Sequence, residues 1–455
     1  MRMVHAVHGF FPEFRGGTER YVEALALAQS AAGHSVRLLA GSGRAGAAPW
    51  IDLVRHRGQV LYRLHRIGID IDFWWKSDAP HAEPLLRALL ARLRPDVLHV
   101  HHWLRFSRTL VRLAAAEGIA VVLTLHDLAS TCPRGFRVHA AGHFCRTPMS
   151  PGLCLGCAPA YPWQDPAEIR LEIARFRAGM RAELRAATRI LVPGRAHADL
   201  LARLHGCSAD RFTVVPLGAI PSVRPPGPRR PDPEGRLRLV HWGHFRPDKG
   251  VHVLLDALGF LSGAQRRQVH LTLHGEHVFR DYEATLRAKA EGLPVTFAGP
   301  YRPEDLDGAR YDLAVIPSLC HESHSFVLDE AFGLGLPVLV SARGALLERC
   351  GDAGLSFAPG DPQALAARIR AVLADRARLE VLAAAIPAPP PAMAAHAAQV
   401  VGVYREAIAA GPPPGVVAPA VTAERLARAR AAETRDIHIA ELRWAVEDRA
   451  RRQKT

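Results

Sequence analysis

Residues Cys320–Ser341 read CHESHSFVLDEAFGLGLPVLVS, directly after the short apolar run LAVIPS at 313–318. The run predicts a buried strand, the stretch from Ser325 a helix, Gly335-Leu336-Pro337 its stop, and VLVS the next strand. A strand, loop, helix, strand series of this kind is one unit of a parallel sheet, and it places Glu322 in the loop at a strand's carboxyl end, with Glu330 about one helical turn inside. The amides of Ser325, Phe326 and Val327 then form the helix start, where unpaired N–H groups and a partial positive charge suit a diphosphate. Two carboxylates beside such a site suit a sugar nucleotide: one accepts hydrogen bonds from ribose, and the other orients sugar hydroxyls and favours an oxocarbenium-like transition state. Two glutamates eight apart read equally well, on their own, as a loop acid and an exposed helix acid.

The same alternation extends in both directions. Upstream, strands are expected at Met3–Val7, Val36–Ala40, Val97–His101, Val121–Leu125, Ile190–Val192 and Thr213–Leu217, with helical spacing between them, as in Thr18–Ala32 with Thr18 as N-cap. After Pro221 the chain runs SVRPPGPRRPDPEGR, a linker composition. A second series follows: Leu237–Trp242, Val269–His274, Val295–Ala298, Leu313–Pro317, Val338–Ser341 and Leu355–Ala358. The expected fold is therefore α/β, with two doubly wound halves and ligands beyond the carboxyl ends of the strands, in the cleft between them. The expected boundaries are 1–222 for the first half, with a cysteine-rich insertion at 128–160, and 223–392 for the second, which ends at PAPPP. A terminal helix at 393–410 is expected to return to the first half, and 411–455 is a charged, helix-forming tail, either an appendix outside the core or a docking helix.

At 455 residues, 49% of them hydrophobic and 22% charged, the chain has globular proportions, which exclude general disorder, collagen and coiled coil. No apolar window is long enough for a membrane span or a signal peptide, so a soluble cytoplasmic protein is expected. The formal charge of +14 rests on scattered arginines, with only four lysines. A nucleic-acid site would want clustered basic residues among exposed aromatics, so no nucleic-acid partner is expected. A basic face peripheral to the inner side of a membrane remains compatible with the charge.

The motifs around these elements resemble those of the family-four retaining glycosyltransferases, which have the GT-B architecture of two facing Rossmann-like domains. The resemblance rests first on Glu322, Glu330, Ala331, Gly335, Pro337 and Val338, in the family's order and spacing. His241–Leu258, HWGHFRPDKGVHVLLDAL, supplies Gly243, Lys249 and Gly250 of the diphosphate-binding element, with His244 where the family usually has arginine and Arg246 two residues on. His8–Ala40 resembles the opening strand, the glycine-rich loop at Gly16-Gly17 and the first helix. His126-Asp127 stands where the family keeps the histidine near the transferred sugar. The likeness covers roughly residues 1–410.

The resemblance implies transfer of a sugar from a nucleoside-diphosphate sugar to a hydroxyl acceptor: a glycan, a lipid-linked intermediate or a small molecule. Glu322, His126 and Lys249 would be catalytic, and Gly17, His244, Arg246, Lys249, Ser325, Phe326, Val327 and Glu330 would bind the donor. No Asp-x-Asp motif lies in a suitable loop, so no catalytic metal is expected. Rival readings are a non-catalytic sugar-nucleotide-binding partner and, further off, a sugar-nucleotide epimerase. An acceptor loop is expected at 67–76, with Trp74 and Trp75. Separately, Cys132, Cys145, Cys154 and Cys157 fall within 26 residues and close with Cys-x2-Cys, a set that suits structural zinc, with disulfides or free thiols as alternatives.

Overall fold

In the computed structural model, the residues described are 1–46, 48–66, 78–161, 163–220, 226–276 and 280–431. The expected acceptor loop at 67–76 and the tail beyond 431 lie outside them. Among the described residues the strands form two sheets. The first holds β1 (Arg2–Val7), β2 (Ser35–Ala45), β3 (Trp50–His56), β4 (Gln59–Arg66), β5 (Val97–Val100), β6 (Ala120–Thr124), β7 (Arg189–Val192) and β8 (Thr213–Val214). Their spatial order is β3-β4-β2-β1-β5-β6-β7-β8. The second holds β9 (Leu237–Trp242), β10 (Val269–His274), β11 (Val295–Gly299), β12 (Leu313–Ile316), β13 (Val338–Ser341) and β14 (Gly354–Phe357), in the order β11-β10-β9-β12-β13-β14. All pairings are parallel except β3 with β4. Central strands such as β5, β6, β12 and β13 are buried at every position, as a sheet covered on both faces requires.

The β3–β4 hairpin is an addition that the sequence reading missed. Its turn, Arg57-Gly58, has φ of 48° and 80°, the left-handed pair that matches the twist of a two-residue hairpin. The first helix runs Gly17–Ala31 and is capped at Gly16, not at Thr18. There the Gly16 amide donates to Glu19 Oε2 at 2.9 Å, so a carboxylate from inside the helix satisfies the loop.

Each sheet has a topological switch point, between β1 and β5 in the first and between β9 and β12 in the second. The loops that leave these strands open onto the cleft. The helix Met393–Ala410 packs Ala397, Val400, Val401, Tyr404 and Ala407 into the core formed by β1, β2 and the first helix. The described part of the tail also docks on the first half. Arg425, almost fully buried, donates through Nη2 to Glu83 Oε1 at 2.8 Å and through Nε to Asp78 Oδ2 at 3.0 Å. The described part of the tail therefore takes the docking alternative, with Arg425 supplying the positive charge that buried Glu83 needs.

Candidate active site

Two loops of the second half meet at the cleft. After β9, Gly250 turns the chain with φ of 70°, and a Cβ there would lie 2.0 Å from the Pro317 carbonyl oxygen, so only glycine lets this loop pass the end of β12. Close approach puts Lys249 Nζ 2.7 Å from Glu322 Oε1, which also accepts from Ser318 Oγ at 2.7 Å. Burial alone would push the ammonium toward neutrality, but Glu322, with Cys320 and Asp248, holds it charged and raises its pKa. Burial likewise works against the Glu322 carboxylate, and Lys249 with Ser318 more than offsets it, so this pKa is lowered. The two groups form a charged pair at neutral pH.

The helix Phe326–Gly333 starts where expected. Its N-cap, Ser325, has φ of 69° and makes no side-chain cap bond, an uncommon conformation for a residue with a Cβ. The amides of Phe326 and Val327 open the first turn. Glu330, the expected ribose ligand, is buried and accepts from Trp242 Nε1 at 2.8 Å and from Arg20 Nη1 at 3.0 Å. Burial raises its pKa, opposed by Arg20. Trp242 and Arg20 were not singled out in the sequence; the signals were a tryptophan ending β9 and an arginine in the first turn after the glycine-rich loop.

His244 and Arg246 fare differently from expectation. His244 is exposed, and partial desolvation lowers its pKa, so it is no standing cation at neutral pH. The Arg246 side chain is tied to Asp248 Oδ1 at 2.9 Å and stacks over Phe136 at 4.2 Å, so its charge already has a partner. Lys249 is the element's cation at Glu322.

The first half brings the glycine-rich loop and a set of histidines to the facing wall. A Cβ on Gly17 would approach Phe326 Cδ2 to 3.0 Å, which shows how closely this loop meets the donor-side helix. His126 lies two residues past β6, with Nε2 3.0 Å from His101 Nδ1. Burial depresses its pKa to about 3, so the ring is neutral at physiological pH. Its neighbour Asp127 accepts from the Ala129 amide at 2.8 Å and lies 3.3 Å from His102 Nε2. His102 Nδ1 accepts from the Leu104 amide at 2.8 Å, so the proton of that ring points at Asp127.

Contacts across the cleft include Arg20 with Glu330, Ser323 Oγ with the His126 carbonyl, Phe326 against the core of the first half, and Glu348 Oε1, which accepts from the Arg195 amide at 2.9 Å. The 128–160 insertion joins them. Besides Phe136 under Arg246, Phe144 lies under Arg343 at 4.6 Å, and Val138 packs on the core of the second half. The four insertion cysteines are free thiols, half-buried. Cys132 lies near enough to Cys154 and Cys157, and Cys154 to Cys145, for their charges to interact; among the described residues the ligand atoms gathered within 4.8 Å of one another are those of His5, His99 and His101. Buried Arg137 ties the insertion together. Its guanidinium donates to the carbonyls of Thr131 at 2.7 Å, Cys145 at 2.9 Å and Thr147, and lies 3.7 Å from Cys145 Sγ. Burial pushes the Cys132 thiol up to about 11.

Two facing Rossmann-like sheets, with a Lys–Glu pair and a helix start on one wall and a glycine-rich loop and a histidine on the other, define the GT-B class. Comparison with known proteins agrees. Residues 15–223 match the family described as Glycosyltransferase Family 4, and residues 236–375 match Glycosyl transferases group 1. The chain belongs to the family-four glycosyltransferases and is a glycosyltransferase. A glycogen synthase of Mycobacterium tuberculosis is 27% identical over 397 residues, 83% of this chain and 87% of that protein. A GDP-mannose-dependent alpha-(1-6)-phosphatidylinositol dimannoside mannosyltransferase of Mycobacterium tuberculosis is 26% identical over 384 residues, 82% of this chain and 88% of its own. Sucrose-phosphate synthase from Thermosynechococcus elongatus superposes with a TM-score of 0.63 at 21% identity, covering 90% of this chain and 100% of that one. Anabaena HepE in complex with UDP-glucose gives 0.54 at 18%, covering 90% and 98%. No helix among the described residues is long and apolar enough to cross a membrane.

Proposed function

We propose that the protein transfers a hexose, with retention at the anomeric carbon, from a nucleoside-diphosphate sugar to a hydroxyl acceptor. The observation that carries this reading is the Lys249–Glu322 pair, at 2.7 Å, set beside the start of the helix Phe326–Gly333 and across the cleft from His126. In this reading Lys249 and the amides of Phe326 and Val327 take the charge of the leaving diphosphate, and Glu330 accepts from ribose hydroxyls once it exchanges Arg20. Glu322 binds sugar hydroxyls and favours positive charge at the anomeric carbon. His126 orients the sugar from the opposite wall. The relatives' donors, GDP-mannose and UDP-glucose among them, support a nucleoside-diphosphate sugar as the class.

Front-face attack, guided by the departing phosphate, fits better than double displacement. The carboxylates nearest the proposed sugar position are engaged: Glu322 by Lys249, Glu330 by Arg20 and Trp242, Asp127 by His102, and Glu19 by the Gly16 amide and His8. A nucleophile for a covalent intermediate would have to be uncommitted. The acceptor follows the same class logic: a hydroxyl of a glycan, a lipid-linked intermediate or a small molecule, brought in along the first half.

The test is incubation with a panel of nucleotide sugars and glycan or lipid-linked acceptors, with NMR of the new glycosidic bond. An axial linkage from an axial donor supports retention, and an inverted one overturns it. Nucleotide binding without transfer or donor hydrolysis across the panel would favour the non-catalytic partner. Isomerised donor would favour the epimerase.

A further inference from the structure

His126 is the cleft end of a buried chain of hydrogen bonds that runs through the switch point of the first sheet. Its Nε2 is 3.0 Å from His101 Nδ1; His101 Nε2 is 3.0 Å from His5 Nδ1; and His5 Nε2 is 2.7 Å from Gln29 Oε1, on the first helix. The other end of the Gln29 amide faces the Tyr404 hydroxyl at 3.4 Å, and that hydroxyl lies 2.5 Å from His99 Nδ1, whose Nε2 meets Thr124 Oγ1 at 2.6 Å. His5, His99, His101 and Gln29 are buried. Desolvation holds His5 near pKa 4 and places His99 and His101 well below the ordinary imidazole range, so all three rings are neutral at physiological pH.

A neutral imidazole has one N–H and one lone pair, so a row of them joined nitrogen to nitrogen has only two consistent proton arrangements, each running the whole length of the row. The residue at the blind end selects between them. A carbonyl oxygen only accepts; with Gln29 Oε1 facing His5, the proton of His5 is on Nε2, that of His101 on Nε2, and that of His126 on Nε2. Gln29 is held in this sense because its NH2 group is the donor toward Tyr404, which in turn donates to His99 Nδ1. Nδ1 of His126, the nitrogen not bound to His101, is left as a lone pair.

We propose that Gln29, through His5 and His101, fixes the tautomer of His126 so that this side chain accepts a hydrogen bond from a hydroxyl of the transferring sugar. Gln29, His5 and His101 are positioning residues that touch no substrate. The inference rests on the reading that the sugar lies against His126, but the tautomer itself is a property of the protein without substrate, so the two can fail separately. It also gives the cluster a role other than cation binding: the ring nitrogens of His5, His99 and His101, whose ligand atoms lie within 4.8 Å of one another, are all committed to hydrogen bonds already.

The experiment uses the full chain with 15N-labelled histidine. Long-range proton–nitrogen correlation spectra show which nitrogen of each ring is protonated, and His126→Asn identifies the His126 signals by subtraction. Two variants alter the blind end at nearly constant volume: Gln29→Glu keeps an acceptor facing His5, and Gln29→Met removes acceptor and donor. The expected result is the Nε2–H form of His126 in wild type and Gln29→Glu, and a mixture of both forms in Gln29→Met. With a competent donor, turnover of Gln29→Met should fall in proportion to the remaining Nε2–H fraction, about twofold for an even mixture, while Gln29→Glu stays near wild type. Melting temperature and near-ultraviolet dichroism of both variants verify the native fold. Three results would overturn the proposal: the Nδ1–H form in wild type, an unchanged His126 tautomer in folded Gln29→Met, or stabilisation by zinc that is lost in His99→Phe, which would make the cluster a cation site. A normal tautomer response with unchanged turnover would leave the relay standing and remove the sugar from His126, which refutes the proposed acceptor role.

Discussion

Lys249→Ala separates the electrostatic part of the site from the fold around it. The ammonium sits 2.7 Å from Glu322 Oε1, with its side chain 32% exposed and that of Glu322 14%. At an effective dielectric near 20, two unit charges at this spacing attract by about 6 kcal/mol before desolvation is counted, enough to keep both groups ionised. Facing a leaving diphosphate, the same ammonium acts as a fixed charge, whose removal costs about 2.7–4 kcal/mol in comparable sites. Partial exposure argues for the lower end, about 3 kcal/mol, or roughly a hundredfold in turnover. The variant also strands the Glu322 carboxylate with Ser318 as its nearest remaining donor, so stability should fall by about 2–3 kcal/mol, less than for a fully buried orphan charge. Adding Glu322→Gln to Lys249→Ala should restore most of that stability and none of the turnover. The assay is release of nucleoside diphosphate at saturating donor, run beside urea denaturation of the same preparations. Lys249→Ala within threefold of wild type in turnover, with unchanged KM for donor, would show that this cation does not face the leaving group.

Two further outcomes follow from the same coordinates. Gly250→Ala and Gly118→Ala both place a Cβ at positive φ, 70° and 76°, but only at Gly250 does that atom collide, 2.0 Å from the Pro317 oxygen, whereas nothing lies within 4 Å at Gly118. Gly118→Ala should therefore cost about 1–2 kcal/mol, the conformational term alone, and Gly250→Ala clearly more, with loss of turnover because Pro317 precedes the serine that holds Glu322; equal melting temperatures for the two would contradict this. Acid sensitivity should begin above the carboxylate range. Unfolded histidines protonate near 6.5, whereas burial delays His5 and His241 to about 4 and His126 and His197 to about 3. Across that window the unfolded chain binds more protons, so stability rises with pH and is lost as pH falls from about 6.5 toward 4, by up to about 1.4 kcal/mol per pH unit for each such ring. A urea midpoint that stays level between pH 7 and pH 5 would show that these rings are not kept neutral.

Much of the second half was legible because its signals are local. The strand Leu237–Trp242, the loop carrying Lys249, and the spacing from Glu322 to Glu330 each lie within one turn or one element, where periodicity and glycine placement speak directly. The partners of those residues were not. Arg20 meets Glu330 across 310 positions of sequence and looks, in its own helix, like any surface arginine. Gln29 and His5 gain meaning only when β1 and β5 lie side by side. Arg246 was an expected phosphate cation because sequence shows a charge but not the Asp248 and Phe136 that occupy it. The hairpin at Trp50–Arg66 was missed because Arg57-Gly58 is an unusual pair for so tight a turn.

The 128–160 insertion leaves one half of the molecule and slips two phenyl rings, Phe136 and Phe144, beneath arginines of the other. Any parting of the halves would have to slide both rings out, at about 0.5–2 kcal/mol each. A surface segment that makes and breaks no bonds of the substrate thus adds to whatever holds the halves together, by an aromatic grip rather than an exposed ion pair.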